Sequence, residues 1–257
     1  FQRQPDANKT FQLSAATGSV TLTCTSSVFS SAMVGMLIRL EPVNLTTEAW
    51  EPGKSIATND LRKSDGKFYE AQNTKTTGIM TPIHEEGQEY DGDDGVLWKF
   101  LHAGYVVLRI TAFTSATQVT ATVIGPGIRA PAEVVGSNAE CRYRIGAWGT
   151  ATGAEWPHKV AFWRDRLWWA GDSNVYASVA GDYASHEPDT LGEILADNAI
   201  NLTLSVGSVD KIRWLRPSSV LLVGTAGSEV AIREVTTTDP LGPDNIKFEL
   251  QSAEGSR

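Results

Sequence analysis

What this sequence lacks narrows its reading first. No run of about 18 apolar residues occurs, so no helical membrane span is expected. No basic cluster or basic face stands out among 22 Lys and Arg against 30 Asp and Glu, and a nucleic-acid reader would need one. Cysteine is scarce, with only Cys24 and Cys141, far apart in sequence. Cys24 is in phase with Val20 and Leu22, which favours a buried thiol over a disulfide, and two isolated thiols are a poor metal site. The four histidines, His84, His102, His158 and His186, have no metal-ligand spacing. No nucleophile elbow, phosphate-binding loop or dinucleotide fingerprint is present, and Gly207 lies in loop text. The opening FQRQPDANKT is neither a signal peptide nor a basic arm. The missing initiator Met and the ending at Ser-Arg suggest a piece of a longer chain, a processed product being the alternative.

What is present is β text. In 257 residues of net charge −8, with the acid excess spread over both halves, short alternating stretches recur between turn residues. The densest is Trp156 to Val179, which reads as a three-stranded meander. Val160 and Phe162 fall on one face, Ala161 and Trp163 on the other. Arg164-Asp165-Arg166 reads as a polar break and Gly171-Asp172-Ser173-Asn174 as the next turn. Apolar groups on both faces require cover on both sides, from another sheet or a neighbouring subunit. Downstream, Ala199 to Ser205 alternates strictly, Lys211 to Arg216 follows, Val220 to Thr225 reads as a buried strand, and Glu229 to Val235 as another. Thr190 to Ala196 could form one or two helical turns. Short strands at this spacing suggest propeller blades or a large sandwich.

Upstream, Ser19 to Thr25 (Val20, Leu22 and Cys24 inward), Met36 to Leu40, Tyr105 to Thr111 and Thr117 to Ile124 read as four strands of a small barrel or sandwich. The last two form a hairpin. A long excursion, about 45–102, reads as an inserted module around Trp50, Tyr69 and Trp98, because so long a stretch is rarely bare loop. Ile124 to Ala132, rich in Gly and Pro, reads as a linker. The expected fold is therefore all-β. A small barrel or sandwich occupies 1–145, with its insert about 45–102, and an incomplete propeller-like antiparallel body occupies 146–257.

Candidate chemistry is sparse. Asp91-Gly92-Asp93-Asp94-Gly95 resembles part of a calcium loop but lacks its closing Glu, so a solvated acidic loop with Glu85, Glu86 and Glu89 is preferred. Glu85 or Glu86 with Asp91 is a conceivable carboxylate pair that nothing singles out. Trp50, Phe68, Tyr69 and Trp98 could stack on a sugar or contact a partner, or could be the core of the insert. No catalytic, cofactor or metal residue is assigned, and the reading is of a non-enzyme.

A family resemblance rests on dispersed residues. They are Trp156-Pro157-His158-Lys159-Val160-Ala161-Phe162, Arg166-Leu167-Trp168-Trp169-Ala170-Gly171, Ala177-Ser178 and Gly181-Asp182-Tyr183. Asp197-Asn198-Ala199-Ile200, Ile212-Arg213-Trp214-Leu215, Leu221-Leu222-Val223-Gly224-Thr225, Gly227-Ser228-Glu229, Gln251-Ser252 and Gly255-Ser256 continue the pattern. Together they resemble the tail nozzle proteins of short-tailed bacteriophages, also called tail tubular protein B or phage stabilisation proteins. Val20-Thr21-Leu22-Thr23, Phe29, Val34-Gly35 and Ile38-Arg39-Leu40 are similar to a small β domain named for its likeness to a half-domain of ubiquitin-activating enzyme. Gly66-Lys67-Phe68-Tyr69-Glu70-Ala71, Thr77-Gly78, Thr81-Pro82, His84, Gly87, Asp91-Gly92 and Trp98 resemble an inserted Trp/Tyr module of phage structural proteins.

The resemblance implies a virion protein of the phage tail. Its propeller-like body would join a ring, in the family a hexamer, through which DNA passes without sequence-specific binding. The upstream domain would serve neighbouring tail proteins. It implies no cofactor and carries over no active-site residue. Family members are much longer, so the chain is expected to hold their middle portion. The rival reading is a carbohydrate- or receptor-binding module of a virion protein acting through residues 45–102.

Overall fold

The computed structural model describes residues 2–3, 8–149, 156–190, 193–204 and 211–255. Ser205, Gly207 and Ser256, named above, and Leu191 within the stretch Thr190 to Ala196 lie outside the described residues. The chain divides into two compact units, Gln4–Ile145 and a second formed mainly by Gly146–Arg257. No described helix is long and apolar enough to cross a membrane.

After a two-residue strand β1 (Gln2–Arg3), the first unit lays down β2 (Lys9–Leu13), β3 (Ser19–Cys24) and β4 (Leu37–Pro42). It then departs through β5 (Ser55–Ile56), β6 (Leu61–Ser64), β7 (Lys67–Ala71), β8 (Lys75–Thr76), β9 (Gln88–Tyr90) and β10 (Leu97–His102). It returns with β11 (Val106–Ser115), β12 (Gln118–Gly125) and β13 (Ala139–Ile145). The order β13-β2-β3-β12-β11-β4 closes on itself, because β13 also pairs with β4, setting Tyr143 against Leu40 and Ile145 against Ile38. The result is a closed six-stranded antiparallel barrel with no free sheet edge. Alternation dictates its filling: Val20, Leu22, Cys24, Ile38, Leu40, Leu108, Ile110, Val119 and Ala121 all point into one core.

Two expectations are corrected here. The barrel has six strands rather than four, and Ile124 to Ala132 does not link domains. Ala130 N–H donates to Ala16 O and Ile128 N–H to Leu101 O, so this segment crosses its own unit to deliver β13.

The excursion is a module with a core of its own: Ile56, Tyr69, Ala71, Val96, Trp98 and Phe100, with Trp50 and Ala103 against them. Its main sheet has the order β6-β7-β10-β9.

The second unit holds two four-stranded meanders in sequence order, the strand arrangement of propeller blades. The first is β14 (Lys159–Trp163), β15 (Arg166–Gly171), β16 (Asn174–Ala177) and β17 (Ile200–Thr203). The second is β18 (Ile212–Pro217), β19 (Leu221–Thr225), β20 (Glu229–Arg233) and β21 (Lys247–Ser252). They share one core: Trp163, Trp168, Val175 and Ile200 from the first meet Ile212, Leu221, Val223, Val230 and Ile232 from the second. Gly224 leaves a slot for Trp214, since a Cβ there would lie 2.0 Å from the indole. The helical turns expected over 190–196 are not seen among the described residues. Thr190 and Glu193 form a bridge, and Ile194 and Leu195 are exposed.

Arg166 corrects a third expectation. The turn from β14 to β15 uses only Arg164 and Asp165, at φ 52° and 57°, the geometry of a tight two-residue hairpin. Arg166 opposes Trp163 and is buried in phase with Trp168 and Ala170. Its guanidinium donates to five backbone carbonyls: Ser178, Asp197, Asn198, Ala196 and Leu241, at 2.6–3.1 Å. Leu241 lies in the connection from β20 to β21, so this one side chain ties the two meanders together. Gly242 permits the approach, because a Cβ there would come within 2.6 Å of Ala196 O. Burial pulls the Arg166 pKa down, while Asp197 and Asp165 push it up. The fork geometry of arginine satisfies the buried carbonyls of Ser178, Asn198 and Leu241.

Candidate functional site

The three aromatics singled out from sequence are brought together, as the core of the module. Tyr69 and Trp98 are closed to solvent and Trp50 packs against them. The polar ends of both indoles meet on one carboxylate. Trp50 Nε1 donates to Asp91 Oδ2 at 3.0 Å and Trp98 Nε1 to the same oxygen at 2.9 Å. The backbone N–H of Val96 donates to Asp91 Oδ1 at 2.6 Å. Tyr69 Oη donates to His84 O at 2.9 Å, and its pKa is raised by burial first, with Asp65, Glu85 and Glu89 adding to it. Neither Tyr69 nor Trp98 offers a ring face for stacking on a ligand.

The calcium-like spelling has a different cause. Asp91 is buried and its oxygens are occupied by the three N–H donors. The glycines around it let the chain wrap it: a Cβ at Gly95 would fall 2.0 Å from Asp91 Oδ1, and one at Gly78 would fall 1.9 Å from Asp91 O. Asp94 pairs with Lys75, which holds its carboxyl below its ordinary pKa. Among the described residues, no group of three or more His, Cys, Asp or Glu is placed to hold a metal ion. Glu85, Glu86, Glu89, Asp93 and Asp94 do form a solvated acidic rim. Beside it the loop carrying Ile79, Met80 and Ile83 is exposed and held at its base by Met80 N–H donating to Asp91 O at 3.0 Å.

His186 and the thiols are structural. Cys24 and Cys141 are free and buried in the barrel. Burial and then Cys24 push the Cys141 thiol up to about 12. His186 Nε2–H donates to Asn201 Oδ1 at 2.9 Å. Burial pulls His186 down to about 4, so the ring is neutral at pH 7.

The first meander supplies the most conspicuous surface. Its inner face runs Ala161, Trp168, Ala177 and Ile200 against the second meander. Its outer face carries Val160, Trp169 and Tyr176 in one row, and Phe162 beside Leu167. Trp148 and His186 roof the Trp169–Tyr176 end, with Trp148 and Trp169 centroids 4.7 Å apart. Among the described residues, the β14 end has no such roof. Val160 and Phe162 are each 62% exposed and Trp156 57%. Tyr183 stands edge-on to Phe162 at 5.2 Å, braced by its hydroxyl donating to Asp165 Oδ1 at 3.0 Å. Val160, Phe162, Tyr183 and Trp156 thus form an exposed apolar cluster.

The corresponding face of the second meander differs. There Arg233 grips Glu249 through Nε and Nη2, and Lys247 reaches the same carboxylate at 2.8 Å. Charge finishes the β20–β21 side of that face. No family model and no curated protein matches this chain.

Sequence reasoning missed Arg166 and Asp91 as anchors. The signal for Arg166 was available, since a two-residue turn after Trp163 makes it in phase with Trp168. For Asp91 the signal was glycine on both sides.

Proposed function

We propose that this protein is a structural component of a bacteriophage tail, of the nozzle or tubular type, forming part of the ring through which DNA is ejected. The observation that carries the proposal is the open apolar face of the first meander. Two stacked four-stranded meanders cover each other on one side and leave Val160 and Phe162 uncovered on the other, which suits a body that continues into a neighbouring subunit. The exposed Ile79–Ile83 loop, fixed on the Asp91 hub, supports a platform role of the first unit toward other tail proteins. The net charge of −8 suits a conduit, since walls of like charge do not hold the phosphate backbone.

The protein acts here as architecture, not as a catalyst. Tyr69, His102, Cys141 and His186 are all shifted chiefly by burial and not by a converging acid and base. A carbohydrate-binding role resting on Trp50, Tyr69 and Trp98 is not favoured, because these rings fill the core of the module. Cryo-microscopy of purified virions tests the proposal. The chain is expected in a ring at the tail tip, and virions whose tail tip lacks it would overturn the assignment.

A further inference from the structure

A cleft of about 440 Å³ opens where the inserted module meets its barrel, a volume within the range of about 300–1,000 Å³ usual for small-molecule sites. Its apolar wall is Leu61, Phe68 and Leu101. Its polar wall comes from three separate segments: Thr46 and Thr47 on the way into the module, His102 at the end of β10, and Arg129 with Glu133 on the way to β13.

The chain is built to put Arg129 there. Gly127 sits at φ 84°, and a Cβ on it would lie 2.0 Å from Leu101 O. Only glycine allows the segment to press against β10 at that point. Ile128 N–H then donates to Leu101 O at 2.9 Å, and Arg129 follows directly. Its Nε is buried with no hydrogen-bond partner. Among the described residues no carboxylate pairs with Arg129, Glu133 included. A buried guanidinium edge without an acceptor is unfavourable, and the acceptor whose shape matches its planar fork is a carboxylate.

His102 is neutral there. The Gly104 N–H donates to its Nδ1 at 3.2 Å, which places the ring proton on Nε2 as a donor. Phe68 stacks on the ring at 4.6 Å. Burial and then Arg129 pull its pKa down to about 4. The cleft therefore offers one fixed positive group, one negative group, two hydroxyls and an imidazole donor. That balance suits a monoanion bearing hydroxyls and disfavours a dianion such as phosphate.

We propose that the cleft binds a sugar acid of hexuronate type, with its carboxylate on Arg129, its hydroxyls on Thr46, Thr47 and Glu133, and its C–H face against Leu61. This stands independently of the assembly proposed above. The test is titration of the full chain with sodium glucuronate, glucose and inorganic phosphate, followed by calorimetry or NMR shifts. Glucuronate is expected to bind saturably with Kd of about 1 mM, in keeping with a small ligand held by one charge-assisted pair. Glucose should bind at least about tenfold more weakly, as should glucuronate to Arg129→Gln, and Glu133→Gln should weaken glucuronate several-fold. A thermal midpoint matching wild type shows that each variant is folded. Should Arg129→Gln unfold, the comparison of glucuronate with glucose on the wild-type chain decides alone. No saturable glucuronate binding, glucose or phosphate binding as tightly, or a folded Arg129→Gln binding unchanged would each overturn the proposal.

Discussion

The two units of this chain solve the same problem in opposite ways. The Gln4–Ile145 unit closes on itself. Its barrel strands return to their start, leaving no sheet edge, and its module draws Trp50 and Trp98 onto one buried carboxylate. Its most exposed apolar side chains, Ile79, Met80 and Ile83, lie in one loop. The meander body is finished on one outer face with the Arg233–Glu249–Lys247 cluster and left apolar on the other at Val160 and Phe162. The lesson is that β sheets can be completed by closure or by charge, as here, and that the remaining apolar face is where the proposed neighbour would complete the third.

The comparison breaks most violently at Arg166. Arg166→Met removes the guanidinium from five carbonyls and leaves the buried ones of Ser178, Asn198 and Leu241 without that donor, and it should destabilise the body by about 3–5 kcal/mol. In a thermal scan the body should melt early while the barrel unit keeps its transition. Asp91→Ala strands two indole N–H groups and one backbone N–H. It should cost about 2–4 kcal/mol, seen in tryptophan fluorescence as exposure of Trp50 and Trp98 with the body intact.

Acid should weaken both units in one window. His102 in the first and His186 in the second have folded pKa values of about 4, below the unfolded value of about 6.5. The unfolded chain therefore binds the extra proton first as pH falls. Stability is fully present above pH 6.5 and declines toward pH 4, by at most about 3 kcal/mol for each histidine. His186→Gln should flatten that decline in the body alone, as read from denaturant midpoints at pH 7 and pH 5. At the small end, Arg233→Ala removes an exposed ion pair and should barely move the thermal midpoint.

Much of this architecture was legible in the alternation of apolar and polar residues. Val20-x-Leu22-x-Cys24, the Trp-rich meander and the Leu221 to Thr225 strand each announced a half-buried or buried strand, because side-chain period and burial coincide there. Lys9–Leu13 and Ala139–Ile145 did not, since charged or polar residues make up most of their length and only Phe11, Leu13 and Cys141 are fully buried. Glycine and proline in 124–132 spelled a linker because they serve a close approach to β10, a long-range demand invisible to local reading. The aromatics of the module were found, but not their role. Burial of Trp98 depends on Asp91 being turned inward, and that depends on Gly78 and Gly95 leaving room around it. The seam cleft was beyond reach, as its lining comes from segments more than 80 residues apart, Thr46 to Arg129.

The claim that the outer face of the first meander is a subunit contact is tested most directly by sedimentation of the wild-type chain and of Phe162→Asp across the micromolar range. Phe162 is already largely exposed, so the substitution should leave the thermal midpoint unchanged. Wild type should self-associate with rising concentration and the variant should remain a monomer. A wild-type chain that stays monomeric throughout, or a variant that associates equally well, would contradict the account.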